Sequence, residues 1–179
     1  PSADARVDAA DKVSGALSEG ALSPEARSIA EDILRVLVQD AEERVRTALS
    51  QNLSRAPDAP GDLAAALARD DSDRVALPVL KNSAALSDAD LIEILKAASP
   101  ARQVAIAERP TVSDAVASAI VDTGNEDAVV SLVGNEGAEL SEPTLTRVVE
   151  DFGHSARVHA PPSLSPSHKL GMIAVTPCA

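Results

Sequence analysis

The chain has 179 residues with 28 acidic and 16 basic side chains, a formal charge of −12, and 45% apolar but only 1% aromatic residues. That length suits one domain burying roughly two thirds of the surface its unfolded chain exposes, with a core built from Ala, Val, Leu and Ile because Phe152 is the only ring. The acidic balance repels a phosphate backbone, one cysteine, Cys178, excludes a disulfide framework or a cysteine-ligated iron–sulfur cluster, and no apolar run reaches the roughly twenty residues of a membrane span.

In chain order, residues 3–18 read as an amphipathic helix carrying Val7, Val13 and Leu17. From Pro24 to Leu53 the pattern is helical, with a break expected at Gln39 and Asp40. "SRAPDAPG" is a loop, and Leu63 and Leu67 with three consecutive alanines make a short helix before "RDDSD", a turn with an acidic helix start. Pro78 lies inside the next segment, "DRVALPVLKN", so that helix is expected to be short, kinked or partly 3₁₀.

A helix start then recurs. In "LSDADLIEIL" Ser87 can cap the amide groups of the first turn, Asp90 stands at the capping-box position, and Leu86 and Leu91 have the spacing of a hydrophobic staple. The device returns at Val112-Ser113-Asp114 and Leu140-Ser141-Glu142, with an earlier relative at Leu22-Ser23. Four residues past the three later caps stand Leu91, Ala117 and Leu145, and eight past them Leu95, Val121 and Val149; both columns are expected in the core. The helices between align too, with Leu77, Val104 and Val130 in one column and Leu49, Val79, Ile106 and Leu132 in another. Their ends at Asn52, Asn82, Arg109 and Asn135 suggest asparagine in the left-handed conformation.

Helix pairs repeating every 26 to 30 residues, none able to bury its apolar face alone, predict an all-α fold: a short right-handed α-solenoid of HEAT/armadillo-like helix pairs over residues 1–152. Residues 153–179, with four prolines and no periodicity, read as an irregular Pro-rich tail, extended or disordered. The amino end lacks the basic and apolar regions of a signal peptide, and the expected compartment is the cytoplasm.

"LARDDSDRVALPVLKNSAALSDADLIEIL" and the following "QVAIAERPTVSDAVASAIVDTGNEDAVVSLVGNEGAELSE" resemble a bacterial domain-of-unknown-function family related to HEAT and leucine-rich-variant repeats, over roughly residues 20–152. The resemblance implies a right-handed array of short helices used in binding or regulation, with no activity to carry over. The pattern departs after about residue 160, where such families continue with further helices.

No catalytic constellation is visible. His154, His159 and His168 share the tail with Cys178, but their spacing fits no compact metal motif, and a solvated tail is the simpler account; no cofactor is expected. Asp70, Asp71, Asp73, Asp88 and Asp90 occupy helix first turns, where capping explains them. Arg74, Lys81, Arg102, Arg109 and Arg147, with Lys96, recur near the ends of the helix pairs and are the candidate binding residues for an acidic or phosphorylated protein or peptide. Pairing with neighbouring acids is the duller account. The expected function is a non-enzymatic protein-interaction or regulatory module. A homo-oligomer joined through solenoid ends is the alternative, and a tail-histidine metal binder the more remote one.

Overall fold

The computed structural model describes residues 2–19 and 22–159. Serine sets most of the helix starts. Ser2 opens α1 (Ala3–Ser18), Ser23 opens α2 (Pro24–Val38), Ser99 opens α7 (Pro100–Ala107) and Ser113 opens α8 (Asp114–Asp122), each hydroxyl accepting the backbone N–H three residues on. Ser87 opens α6 (Asp88–Leu95) in a full capping box, with Asp90 reaching back to the Ser87 amide, and Ser141 opens α10 (Glu142–Phe152) with Pro143 in its first turn. The remaining helices are α3 (Glu43–Leu53), α4 (Gly61–Ala68), α5 (Asp73–Asn82), α9 (Glu126–Gly134) and α11 (Ala156–His159).

The fold is therefore all-α, and among the described residues no strand interrupts it. One isolated bridge pairs Val112 with Ala138: Val112 donates to the Gly137 carbonyl at 3.1 Å and accepts from the Glu139 amide at 2.8 Å. Gly137 is required there, because a Cβ would lie 1.9 Å from the Pro110 carbonyl oxygen. Gly124, at φ 70°, ends α8 in the left-handed conformation. No helix among the described residues is long and apolar enough to cross a membrane.

The helices fall into two rows. Odd-numbered helices pack in sequence from α1 to α11; on the other side α2 packs on α4, and α8 packs on both α6 and α10. The core between the rows is aliphatic. Leu49, Val79, Ile106 and Leu132, the second expected column, are fully buried along the odd row, while Leu77 and Val104 of the first column are only partly covered.

Salt bridges cross-link the first turns of successive odd helices. Asp4 pairs with Arg44 at 2.7 Å, Glu43 with Arg74 at 3.7 Å, Asp73 with Arg102 at 2.7 Å and Asp127 with Arg157 at 2.7 Å. The series skips the α7–α9 joint, where Asn125 instead donates to the Gln103 side chain at 2.8 Å and to the Pro100 carbonyl at 3.3 Å. Deeper in the odd row, Arg46 grips Asp70 at 2.6 Å. Burial pushes the Asp70 carboxyl up, but the Arg46 guanidinium and the Ser72 amide outweigh it and hold the group below the usual carboxylate range.

Three expectations are corrected. Asparagine does not end helices in the left-handed conformation, since no described non-glycine residue has a positive φ. Asn82 donates instead to the Pro78 carbonyl, and Asn135 to the carbonyls of Ala107 and Arg109, across to the preceding odd helix. Pro78 sits inside a helix of ten residues that is α-helical throughout, so of the expected outcomes the 3₁₀ one is set aside. Finally, Leu145 and Val149 are only half-covered; α10 buries Thr144, Val148 and Phe152. Among the described helices its packing neighbour in the even row is α8. Of the segment read as tail, 153–159 includes α11, which packs on α9 with Val158 buried; His168 and Cys178 lie outside the described residues.

Candidate functional site

The candidate cations are spread over both rows rather than gathered, and most are spent within the chain. Lys81 meets Glu108 at 2.6 Å. Arg102 pairs with Asp73 and donates to the carbonyls of Asp70 and Asp71 at 2.6 and 3.2 Å. Arg147, on α10, donates to Ser118 at 3.2 Å and to the Asp122 carboxylate of α8. Arg74 is 84% exposed with Glu43 at 3.7 Å, and Lys96 is exposed with no ion pair among the described residues. Surface pairs of this kind contribute under about 1 kcal/mol each, and they act as cross-links between neighbouring helices.

Arg109 is different: it is 6% exposed. Its terminal nitrogens donate to the Leu80 and Ser83 carbonyls at 2.6 and 2.7 Å, covering the carboxyl end of α5, where a helix dipole favours a cation. Nε is buried with no hydrogen-bond partner among the described residues, and burial lowers the pKa of the guanidinium. A side chain so enclosed serves the joint between α5 and α7 and offers nothing to an outside partner.

Of the helix-start carboxylates, Asp90 completes the cap of its own helix, while Asp88 and Asp114 bond to the cap serines of the next even helices. Asp90 accepts from the Ser87 hydroxyl at 2.6 Å, with its pKa lowered by that bond; Asp88 accepts from the Ser113 hydroxyl at 2.6 Å; Asp114 accepts from the Ser141 amide and the Thr144 hydroxyl, both at 2.8 Å. Among the described residues no group of three His, Cys, Asp or Glu side chains could hold a metal ion. His154 lies exposed after α10.

What the surface does offer is apolar. Ile29, Ile33 and Val36 are 61%, 41% and 73% exposed and are the exposed large hydrophobic residues of the described chain. Their spacing of four and three places them on one face of α2. The opposite side, Ala30, Leu34, Leu37 and Val38, enters the core, so α2 is apolar on two faces. Monomeric surfaces scatter large apolar residues singly; a stripe on one helix marks a place for contact. In the sequence these three residues stand only as apolar positions of a helical run; the signal that singles them out is their spacing, which sets 29, 33 and 36 about 100° round the helix from 30, 34 and 37.

A shallow recess of about 430 Å³ lies between α6 and α8, lined by Ile92, Leu95, Lys96, Gln103, Ala119 and Asp122. It brings Lys96 near Asp122 and Gln103 but assembles no reactive set.

No curated protein and no solved structure matches this chain. A family model described as an uncharacterised protein conserved in bacteria, DUF2336, matches residues 75–164, 90 of the 179 residues. That span runs from within α5 to beyond α11 and leaves α2 outside it. The chain belongs to the DUF2336 family of bacterial proteins.

Proposed function

We propose that this chain is a non-enzymatic protein-interaction module: a short right-handed α-solenoid of HEAT-like helix pairs, working in the cytoplasm, whose docking face is the outer side of α2. The observation that carries the reading is the stripe of Ile29, Ile33 and Val36, apolar side chains left in water where every other Val, Leu and Ile of the described residues is buried or partly buried. Covering such side chains yields about 1.5 to 3 kcal/mol each when complete. The two rows of helices support the solenoid, and the net charge of −12 favours a protein over a nucleic acid as partner. The candidate cations that remain open, Arg74 foremost, then serve as rim contacts.

Site-specific photo-crosslinking in bacterial cells tests it. A photoreactive side chain at Val36 should give adducts with another protein that are lost when Ile29→Asp is added, while the same group at the exposed Glu150 of α10 should give none. Equal adducts at both positions, or none at either, would remove the docking face. Adducts of two copies of this chain would favour the homo-oligomer.

A further inference from the structure

The stripe on α2 has a register, and the register says what belongs on it. In the later even helices the residue six places past the cap is Ala66, Glu93, Ala119 or Arg147. Where this position makes an identifiable contact, it turns toward the preceding even helix. Glu93 accepts from Arg69, at the end of α4, at 3.2 Å; Arg147 donates to Ser118 and Asp122 of α8; Ala119 shares the recess with Ile92, Leu95 and Lys96 from the α6 side. Ile29 is the sixth residue past Ser23, and Ile33 and Val36 lie four and seven places further on, on the same face. The stripe therefore points to where a preceding even-row helix would lie. Among the described helices none packs there, since α2 contacts α1, α3 and α4.

We propose that this face receives one amphipathic α-helix of a partner protein, apolar toward Ile29, Ile33 and Val36 and carrying an arginine or lysine for Glu25. The template is the packing of α2 itself on α4. Arg35, late in α2, donates from Nε to Asp62 at 3.0 Å, and Asp62 stands two places past the α4 cap, Pro60. Glu25 holds the same place in α2, two past Ser23, is exposed, and has no partner among the described residues. An arriving helix that repeats the α2–α4 contact one step earlier in the row would set its cation against Glu25. Asp32, whose side chain is 72% exposed, extends the acidic edge, and the charge of −12 attracts a cationic segment from a distance. This inference rests on the interaction-module reading and adds the occupant: a helix entering a groove edge by its apolar positions, one of the recurring modes of peptide recognition.

The probe is a set of labelled synthetic helices titrated with the full chain and followed by fluorescence anisotropy. The first carries leucine at i, i+4 and i+7 with lysine beside them; the second has glutamate for lysine; the third keeps the composition of the first with the order scrambled. The first should bind, the second and third at least about tenfold more weakly, and Ile29→Asp or Val36→Asp should each weaken the first by about tenfold or more. Glu25→Gln should weaken it by about threefold and reduce its dependence on salt. Because these side chains are exposed, unchanged circular dichroism and melting of the variants keep the test clean.

Equal binding of the scrambled helix would reduce the effect to charge and overturn the inference. Failure of the lysine-edged helix to bind, with Val36→Asp dissolving a dimer seen by sedimentation, would assign the face to a second copy. Failure of that helix while Val36 still crosslinks to another protein would overturn the helical occupant and leave the docking face standing; failure of both would remove both readings.

Discussion

Helices α6 and α10 open alike, with Leu-Ser-acid and a serine cap, yet they bury different faces. Counted from the cap, α6 buries the fourth, seventh and eighth residues, Leu91, Ile94 and Leu95. Its successor α8 buries the third, fourth, seventh and eighth. By α10 the buried set is the third, seventh and eleventh, Thr144, Val148 and Phe152. At about 100° per residue this is a rotation of the core-facing side by roughly half a right angle over two units. The cap fixes where a helix begins and how the chain enters it. Which side becomes core is decided by what packs against it: α8 lies between α6 and α10, whereas among the described helices α10 meets only α8 in the even row.

The comparison is tested most forcefully by acid, which acts at both starts together. Asp90 is held below the usual carboxylate range by the Ser87 hydroxyl, and Asp114 by the Ser141 amide and the Thr144 hydroxyl. Asp40 is lowered in the same sense by Arg6 and the Glu42 amide. A carboxyl whose pKa is lower in the folded than the unfolded chain binds its proton more tightly when unfolded. Its contribution is therefore complete above about pH 5 and is lost as the pH falls past the unfolded value, about 3.9, and through the folded one. Thermal melting should be level from pH 7 to 5 and drop steeply between pH 4 and 3; a level profile to pH 3 would deny these bonds a role. Next in size, Leu91→Ala in α6 should cost about 2 to 4 kcal/mol in denaturant melts, as a truncation of a side chain 3% exposed.

How far the sequence could be read follows from how far each signal reaches. The helix starts at Ser23, Ser87, Ser113 and Ser141, the break at Gln39 and Asp40 and the short helix at 61–68 were legible, because caps and turns act within three or four residues. The face of α10 was not, because it depends on a neighbour some thirty residues away. Arg102 lies in the first turn of α7, but Arg147, also expected near a helix-pair end, lies in the middle of α10, and their partners, Asp73 and Asp122, are reached only through the stacking of adjacent helices. Asn135 illustrates the same limit: a residue suited to a left-handed end is used for two carbonyls of the preceding odd helix. The α2 stripe was present in the spacing of Ile29, Ile33 and Val36, but which apolar face of the helix stays uncovered depends on the neighbouring helices.

Smaller effects sharpen the comparison further. Ser87→Ala removes a cap and its box and should cost about 1 kcal/mol. Leu145→Ala, the counterpart of Leu91→Ala by position, should cost less, about 1 kcal/mol, since the side chain is only partly buried. A loss equal to that of Leu91→Ala would mean that α10 packs as α6 does.

The smallest effects are expected at the sixth position past the cap, where α2 and α6 differ most in chemistry. Glu93→Ala loses one exposed bond from Arg69 and should change stability by less than about 0.5 kcal/mol. Ile29→Ala should be equally quiet, because a side chain already 61% exposed gives up little burial when shortened. Two silent changes at one position, one charged and one apolar, mean that folding does not choose the residue there. In α6 the position faces Arg69 across the joint with α4, and glutamate suits it. In α2 no described helix faces it, and water gives no reason for isoleucine. If Ile29→Ala is silent in melting but weakens crosslinking through Val36, the isoleucine is read by a partner; a cost of 2 kcal/mol or more in melting would instead make the stripe part of the core.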